Sequence, residues 1–195
     1  MTQETDYPWD GRVKFTVKTG PNRVIGFKLR IPAWATGATI HVNGKATGVA
    51  PNPGKYVELR RKWNTGDVVE LNLPMRVRLL QSNPLVEETR NHVAVQRGPI
   101  VYCLESPDLA KDTHVPGVRI PQSISLKPRY DAKLLGGVTV LEGDAEVNRD
   151  VTWGAELYRE LGANTSRPTP IKLIPYLAWG NRGKSEMTVW MPLKP

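Results

Sequence analysis

Between residues 12 and 79, hydrophobic and polar side chains alternate in short runs, and Gly, Pro or Asn separates one run from the next. Successive residues of a strand point to opposite faces of a sheet, so each run has one hydrophobic and one polar side. The runs occupy residues 13–18, 27–31, 38–42, 56–60, 69–73 and 75–79. The pattern predicts about six antiparallel strands and therefore a β-sandwich.

The second half is less regular but also predicts strands, at 93–104, 138–141, 171–179 and 187–191. Residues 171–179 are hydrophobic at nearly every position, which is typical of a strand covered on both sides. Residues 106–118, with two prolines and three charged side chains, are the best candidate for a linker or long loop. Residues 155–162 have the pattern of one short helical turn.

These patterns predict an all-β fold of two consecutive antiparallel β-sandwich domains. We expect the first domain at 1–100 and the second at 101–195, with the boundary between residues 84 and 106. The 17 glycines and 17 prolines agree with many short strands joined by turns.

The composition argues against a membrane protein and against a disulfide framework. No run of 18 hydrophobic residues occurs, and residues 1–6 are acidic where a signal peptide would be basic and then hydrophobic. The single cysteine, Cys103, lies in a hydrophobic run and is expected to be a buried, inert thiol. Together these features favour a reducing, cytoplasmic location. Three histidines far apart in sequence predict no metal site, and we expect no cofactor.

The formal net charge of +8 comes almost entirely from the first 100 residues, which carry 15 Lys and Arg against 8 Asp and Glu. A basic face could meet phosphates, an acidic polysaccharide or an acidic partner domain. The residues predicted to form that face are Lys14, Lys28, Arg30, Arg76 and Arg78. No nucleic-acid-binding motif accompanies them, so we predict no nucleic-acid partner.

Six tryptophans raise the possibility of a sugar-binding platform, because an exposed indole face can stack on a sugar ring. Trp9, Trp34 and Trp190 are the candidates for exposure and ligand binding. Trp63 and Trp179 share the strand phase of neighbouring hydrophobic residues, so we expect both in the core.

Acidic side chains offer weaker candidates for chemistry. Glu87 and Glu88 would point to opposite faces of an extended chain, which does not suit a shared catalytic site. Residues 144–150 partly match the start of a calcium loop, but Arg149 stands where the turn needs glycine, so a solvated strand face explains them better.

Two stretches are more specific than any periodicity: residues 5–11 (TDYPWDG) and 96–105 (QRGPIVYCLE). They resemble the region that follows the catalytic barrel in glycoside hydrolase family 127, the β-L-arabinofuranosidase family. Supporting stretches in the same order are LRIPAW at 29–34, VNG at 42–44, WNTGD at 63–67, LNLPM at 71–75, LLGG at 134–137 and IPYLAWGNRG at 174–183.

The resemblance implies a middle and a C-terminal β-sandwich domain, which the family attaches behind a catalytic (α/α)6-barrel. In the family a zinc-bound cysteine within a double-cysteine motif is the nucleophile, and a glutamate of the barrel is the acid/base. This chain has no adjacent cysteine pair and Cys103 belongs to another motif. We therefore transfer no catalytic or zinc-binding residue, and expect no hydrolysis by this chain alone.

Two functions from different classes remain open at this point. The first is a non-catalytic accessory region of a family 127-like glycosidase that braces the barrel as its partner. The alternative is a free-standing carbohydrate-binding module for plant-type or acidic glycans, using the exposed tryptophans. A sandwich without its barrel could also pair with a second copy of itself, which would make the chain a homo-oligomer.

Overall fold

The computed structural model describes residues 1–111, 113–148, 155, 157–158, 160 and 166–194. Within these residues the chain forms strands joined by turns, and the helical segments are 3-10 turns of three residues, at Glu87–Thr89, Ser106–Asp108, Val115–Gly117 and Tyr176–Ala178. The strands are β1 (Thr2–Thr5), β2 (Arg12–Thr16), β3 (Val24–Arg30), β4 (Thr39–Val42), β5 (Lys45–Ala46), β6 (Tyr56–Lys62), β7 (Val68–Asn72), β8 (Val77–Leu80), β9 (His92–Arg97), β10 (Ile100–Glu105), β11 (Val118–Pro121), β12 (Lys127–Asp131), β13 (Val138–Asn148), β14 (Ser166–Pro175), β15 (Met187–Thr188) and β16 (Met191–Lys194).

The chain forms two compact units. The first contains Met1–Arg76 together with Arg97–Pro99, and the second contains Val77–Gln96 and Ile100–Pro195. This division lies earlier in the chain than the interval of residues 84–106 expected from the sequence. The reason is β8, which the alternation pattern assigns to the first sandwich but which pairs with β9 in the sheet of the second unit.

The first unit has two sheets that share one hydrophobic core. Five strands pair in the order β1-β2-β7-β4-β5, and β3 pairs with β6 in a two-stranded ribbon. Phe27 of β3 meets the rings of Phe15 and Trp63 edge to face, at centroid distances of 5.1 and 6.1 Å. Trp63 is buried, and its indole N–H donates to the Ile25 carbonyl at 3.0 Å. The core location predicted for Trp63 is confirmed.

Two turns of the first unit are tied together by Asp67. Its carboxylate accepts hydrogen bonds from the Asn64 backbone N–H and the Asn43 side-chain amide, both at 2.9 Å. Asn43 adopts a left-handed φ of 51° in the β4–β5 hairpin, and its Oδ1 accepts from the Val68 N–H. These bonds, led by that of Asn64, lower the pKa of Asp67. The carboxylate therefore stabilises the folded state at neutral pH, and this contribution is lost as the pH falls through its lowered pKa.

The second unit is a single sheet that closes on itself. Its strand order is β15-β10-β14-β13-β11-β16-β9-β8, with β12 added on β13, and β10 also pairs with β9. The last pairing joins six strands into a barrel-like ring of β10, β14, β13, β11, β16 and β9. The pair β11–β16 is parallel and the others with a described register are antiparallel. Buried side chains of β9, β10, β13 and β14 line the core.

The all-β fold predicted from the sequence is confirmed in the described residues. Of the segment predicted as a linker or long loop, 106–111 and 113–117 contain two 3-10 turns and lie inside the second unit, and Val118 begins β11. The helical turn expected at 155–162 falls on a segment of which the structure describes isolated residues only. No helix within the described part of the chain has the length and hydrophobicity needed to cross a membrane.

Candidate functional site

One group of exposed hydrophobic residues in the second unit is the aromatic segment, residues 176–179, which directly follows β14. Tyr176 is 47% exposed, Leu177 70% and Trp179 43%. Isolated exposed hydrophobic residues are ordinary, but three large ones within four positions make this segment a candidate interaction surface.

The local sequence explains why the aromatic segment leaves the sheet. β14 ends at Pro175, and the chain then makes a 3-10 turn, in which the Trp179 N–H donates to the Tyr176 carbonyl at 3.1 Å. The rings of Tyr176 and Trp179 lie parallel, within 4°, with centroids 6.3 Å apart. The expectation that Trp179 is a core residue is wrong, because the turn at Tyr176 ends the two-residue periodicity on which it rested.

Behind the aromatic segment lies a buried charge cluster of Glu105, Asp108, Lys172 and Arg182. The Arg182 guanidinium bridges both carboxylates: Nε donates to Glu105 at 2.9 Å, Nη1 donates to Asp108 at 3.0 Å, and Nη2 contacts both residues. Lys172 Nζ lies 2.6 Å from Asp108. Glu105 is fully buried, so the two cations compensate a carboxylate pair that water cannot reach.

The buried charge cluster also anchors the residues that follow the aromatic segment in the chain. Glu105 accepts hydrogen bonds at 3.3 Å from the Gly180 N–H and the Ser185 hydroxyl. The Glu105 carboxylate is thus hydrogen-bonded to Gly180, the residue immediately after Trp179. The hydrogen bonds that Arg182 donates to Asp108 and Glu105 raise the pKa of Arg182 above its usual range, despite the opposing effect of burial. These contacts anchor the chain immediately after the aromatic segment.

Cys103 lies on β10 and is buried, as the sequence predicts. Burial, followed by the negative charge of Glu105, raises the pKa of the Cys103 thiol to about 12. A thiol with so high a pKa stays protonated at neutral pH and is a poor nucleophile and metal ligand.

The three candidate tryptophans belong to different units of the chain. Trp9 and Trp34 lie in loops of the first unit, whereas Trp190 lies between β15 and β16 in the second. All three are half-buried. The Trp9 carbonyl accepts a hydrogen bond from Arg97 at 3.0 Å, and Trp34 packs against the core of the first unit. The more exposed aromatic pair, Tyr176 and Trp179, was missed by the sequence argument, although Pro175 is a signal that the strand ends there.

The acidic candidates take ordinary structural positions. Glu87 is exposed and pairs with Arg90 at 3.6 Å within a 3-10 turn. Residues 144–148 belong to β13, in agreement with the strand that we expected in place of a calcium loop. Residues 149–150 fall outside the described residues. No group of three potential metal ligands occurs among the residues that the structure describes. The described residues therefore include no ligand set that matches the zinc implied by the resemblance for the family.

The predicted basic residues do not share one face. Lys14 lies on the five-stranded sheet and pairs with Glu4 at 3.2 Å, while Arg78 belongs to the second unit, where it donates to Gln96. Lys28 and Arg30 instead lie on the ribbon of β3 and β6. The sequence argument missed the basic residues on the partner strand of this ribbon, Arg60 and Lys62.

Comparison with known proteins places both units in one family. Residues 1–75 match the model of the β-L-arabinofuranosidase GH127 middle domain, and residues 77–192 match that of the glycoside hydrolase family 127 C-terminal domain. A non-reducing end β-L-arabinofuranosidase of Bifidobacterium longum subsp. longum is 33% identical over 201 aligned positions, covering 97% of this chain and 30% of the relative.

Solved structures are similar over nearly the whole chain. A glycoside hydrolase superposes with a TM-score of 0.93 at 44% identity, covering 99% of this chain and 32% of its own. A GH127 β-L-arabinofuranosidase from Geobacillus stearothermophilus T6 gives a TM-score of 0.87 at 40% identity, with coverage of 99% and 30%. A further GH127 β-arabinofuranosidase gives 0.84 at 34% identity, with coverage of 98% and 31%. The chain thus spans about a third of the length of these relatives.

Proposed function

Because the chain belongs to glycoside hydrolase family 127, as its middle and C-terminal domains, we propose that it is the non-catalytic accessory region of a β-L-arabinofuranosidase-like enzyme and braces a catalytic (α/α)6-barrel. The observation that carries this proposal is the aromatic segment. This segment presents three large exposed hydrophobic residues on a turn. The chain directly after the turn is anchored by the hydrogen bond from the Gly180 N–H to Glu105.

A brace needs a rigid contact surface, and the buried charge cluster provides the rigidity. Ordering a flexible hydrophobic loop on docking would cost conformational entropy, whereas a turn already held by Glu105 and Arg182 avoids most of that cost. The relatives are about three times as long as this chain, so a large partner surface is available within the enzyme it resembles. Tyr, Trp and Leu at such a surface match the composition of interface centres.

The contact can be tested with Leu177→Asp, which places a charge at the most exposed position of the aromatic segment. We expect this substitution to weaken association with the catalytic portion of the Geobacillus stearothermophilus relative, supplied as a separate chain, by about tenfold or more, because the charge would be buried unpaired. Sedimentation velocity measures the association. The matched control is Leu85→Asp, at another exposed leucine of the same unit, which should change the association by less than about twofold. Equal effects of the two substitutions would contradict the assignment of this surface.

The second expected outcome concerns activity. The purified chain, supplied with zinc and reductant, should release no product from an aryl β-L-arabinofuranoside above the buffer blank. The reason is that no described cluster could hold a metal and Cys103 is buried with a raised pKa. The Geobacillus stearothermophilus enzyme is the positive control under the same conditions. Turnover by this chain that persists after repurification would overturn the non-catalytic assignment.

A further inference from the structure

A cleft of about 480 Å³ opens in the first unit, between the five-stranded sheet and strand β3. Residues of β1, β2 and β7 line one side, and residues of β3 line the other. We call it the sandwich cleft. Its lining consists of Gln3, Thr5, Tyr7, Val13, Phe15, Phe27, Lys28, Leu29, Arg30, Pro32, Leu71 and Leu73. This volume is within the range of small-ligand sites, and nothing in the bracing role requires it.

The interior of the sandwich cleft is hydrophobic and firmly packed. Phe15 and Phe27, which are both half-buried, meet edge to face at 5.1 Å, and Val13, Leu29 and Leu71 lie behind them in the core. Such a floor accepts the C–H face of a ring and does not rearrange when it does so.

The rim of the cleft is polar and carries an exposed aromatic ring, Tyr7, which is 40% exposed. The turn that positions Tyr7 is fixed by Thr5, whose hydroxyl accepts from the Tyr7 N–H at 3.1 Å and donates to the Arg12 carbonyl at 2.8 Å. Partial burial raises the pKa of Tyr7 against the opposing effect of the Arg30 charge, so its hydroxyl stays protonated and can donate.

Two cations stand at the same rim without carboxylate partners. Lys28 and Arg30 are exposed residues of β3, two positions and so about 6.7 Å apart along the strand. No salt bridge joins either to a described carboxylate. Glu58, which faces Lys28 across the ribbon, instead lies 3.8 Å from Arg60. A Cβ atom at Gly26 would be 2.0 Å from the Glu58 carboxylate, so the glycine leaves room for that orientation.

We propose that the sandwich cleft binds a carboxylate-bearing saccharide, with a sugar ring against Tyr7 and the hydrophobic floor, and its carboxylates paired with Arg30 and Lys28. Gln3, whose side chain makes no hydrogen bond within the described residues, is available for ring hydroxyls. An aromatic ring beside unpaired cations, in a domain of a glycosidase family, favours an acidic sugar.

The test is calorimetric titration of the full chain with a trimer of galacturonate, compared with the same trimer fully methyl-esterified. We expect heat of binding with the acid and none with the ester up to about 5 mM, because the ester retains the rings and loses the charges. Arg30→Gln should lower the affinity about tenfold, and Tyr7→Ala should lower it by a similar factor, whereas Tyr7→Phe should retain most of it.

The matched control is Lys62→Gln, which removes one positive charge from the same ribbon at a residue outside the cleft lining. It should leave the affinity within about twofold of the unmodified chain, and circular dichroism should confirm that every variant folds. The proposal is overturned by absence of binding to the acid trimer at about 5 mM, by equal affinity for the ester, or by equal losses in Arg30→Gln and Lys62→Gln. The last result would indicate diffuse attraction to a basic surface. None of these outcomes bears on the bracing role.

Discussion

Replacing Arg182 with alanine is expected to lower the free energy of unfolding of the second unit by about 3–5 kcal/mol. Arg182 donates to both Glu105 and Asp108, and its removal leaves the fully buried Glu105 without its cation. Asp108 would retain Lys172 as its only cationic partner in the cluster, at 2.6 Å. Urea denaturation followed by far-UV circular dichroism measures the loss.

The control for this prediction is Arg129→Ala, because Arg129 also contacts two carboxylates in the same unit, Asp131 and Glu142. Arg129 is 48% exposed, Glu142 41% and Asp131 25%, so water replaces the lost contacts and the midpoint of unfolding should move little. Comparable losses in the two variants would contradict the importance of burial in the cluster. In addition, Arg182→Lys should fail to restore stability, since an ammonium cannot reproduce the forked contacts of the guanidinium.

The second large effect is expected in the first unit, where Trp63→Ala should cost about 3–5 kcal/mol of unfolding free energy. The substitution removes a large buried ring, its edge-to-face contact with Phe27 and the hydrogen bond to the Ile25 carbonyl. Unlike Arg182→Ala, it creates a hydrophobic cavity and also leaves a buried acceptor with one partner fewer. Chemical denaturation followed by circular dichroism again provides the measurement.

Val49→Ala is the matched control, because it truncates an exposed hydrophobic side chain in a loop of the same unit. It should change the free energy of unfolding by less than about 0.5 kcal/mol. If Trp63→Ala changed the free energy of unfolding as little as Val49→Ala, the packing of the Trp63 ring would not be a main source of stability in this core.

The first unit could be predicted largely from its sequence because one face of each strand is buried and the other is solvated. Alternation then marks both the strand and its orientation, as in β6, where Val57 and Leu59 are buried between exposed neighbours. Alternation does not say which sheet a strand joins. β8 alternates like its predecessors but pairs with β9, so the units divide earlier than the sequence indicated.

The fold of the second unit was harder to predict from the sequence, because closure of its sheet depends on pairings between residues that are distant in the chain. Nothing local in the sequence indicates that β11 lies beside β16 in a parallel arrangement. The same limit applies to the candidate sites. Strand phase could not be extended past Pro175, so the exposure of Trp179 was missed, and the sandwich cleft arises where β3 and β1 approach from different sheets.

The place of β16 in the ring of the second unit has a consequence for how this unit is made. β16 lies between β9 and β11, pairing Met191 with Val93 and Ile120 with Leu193. During synthesis, the edges of β9 and β11 that pair with β16 therefore stay unpaired until the chain has been made as far as Lys194. Closure of such long loops is slow, and open edges can pair with other chains in the meantime. The nascent second unit is thus more exposed to aggregation before β16 is made than after it.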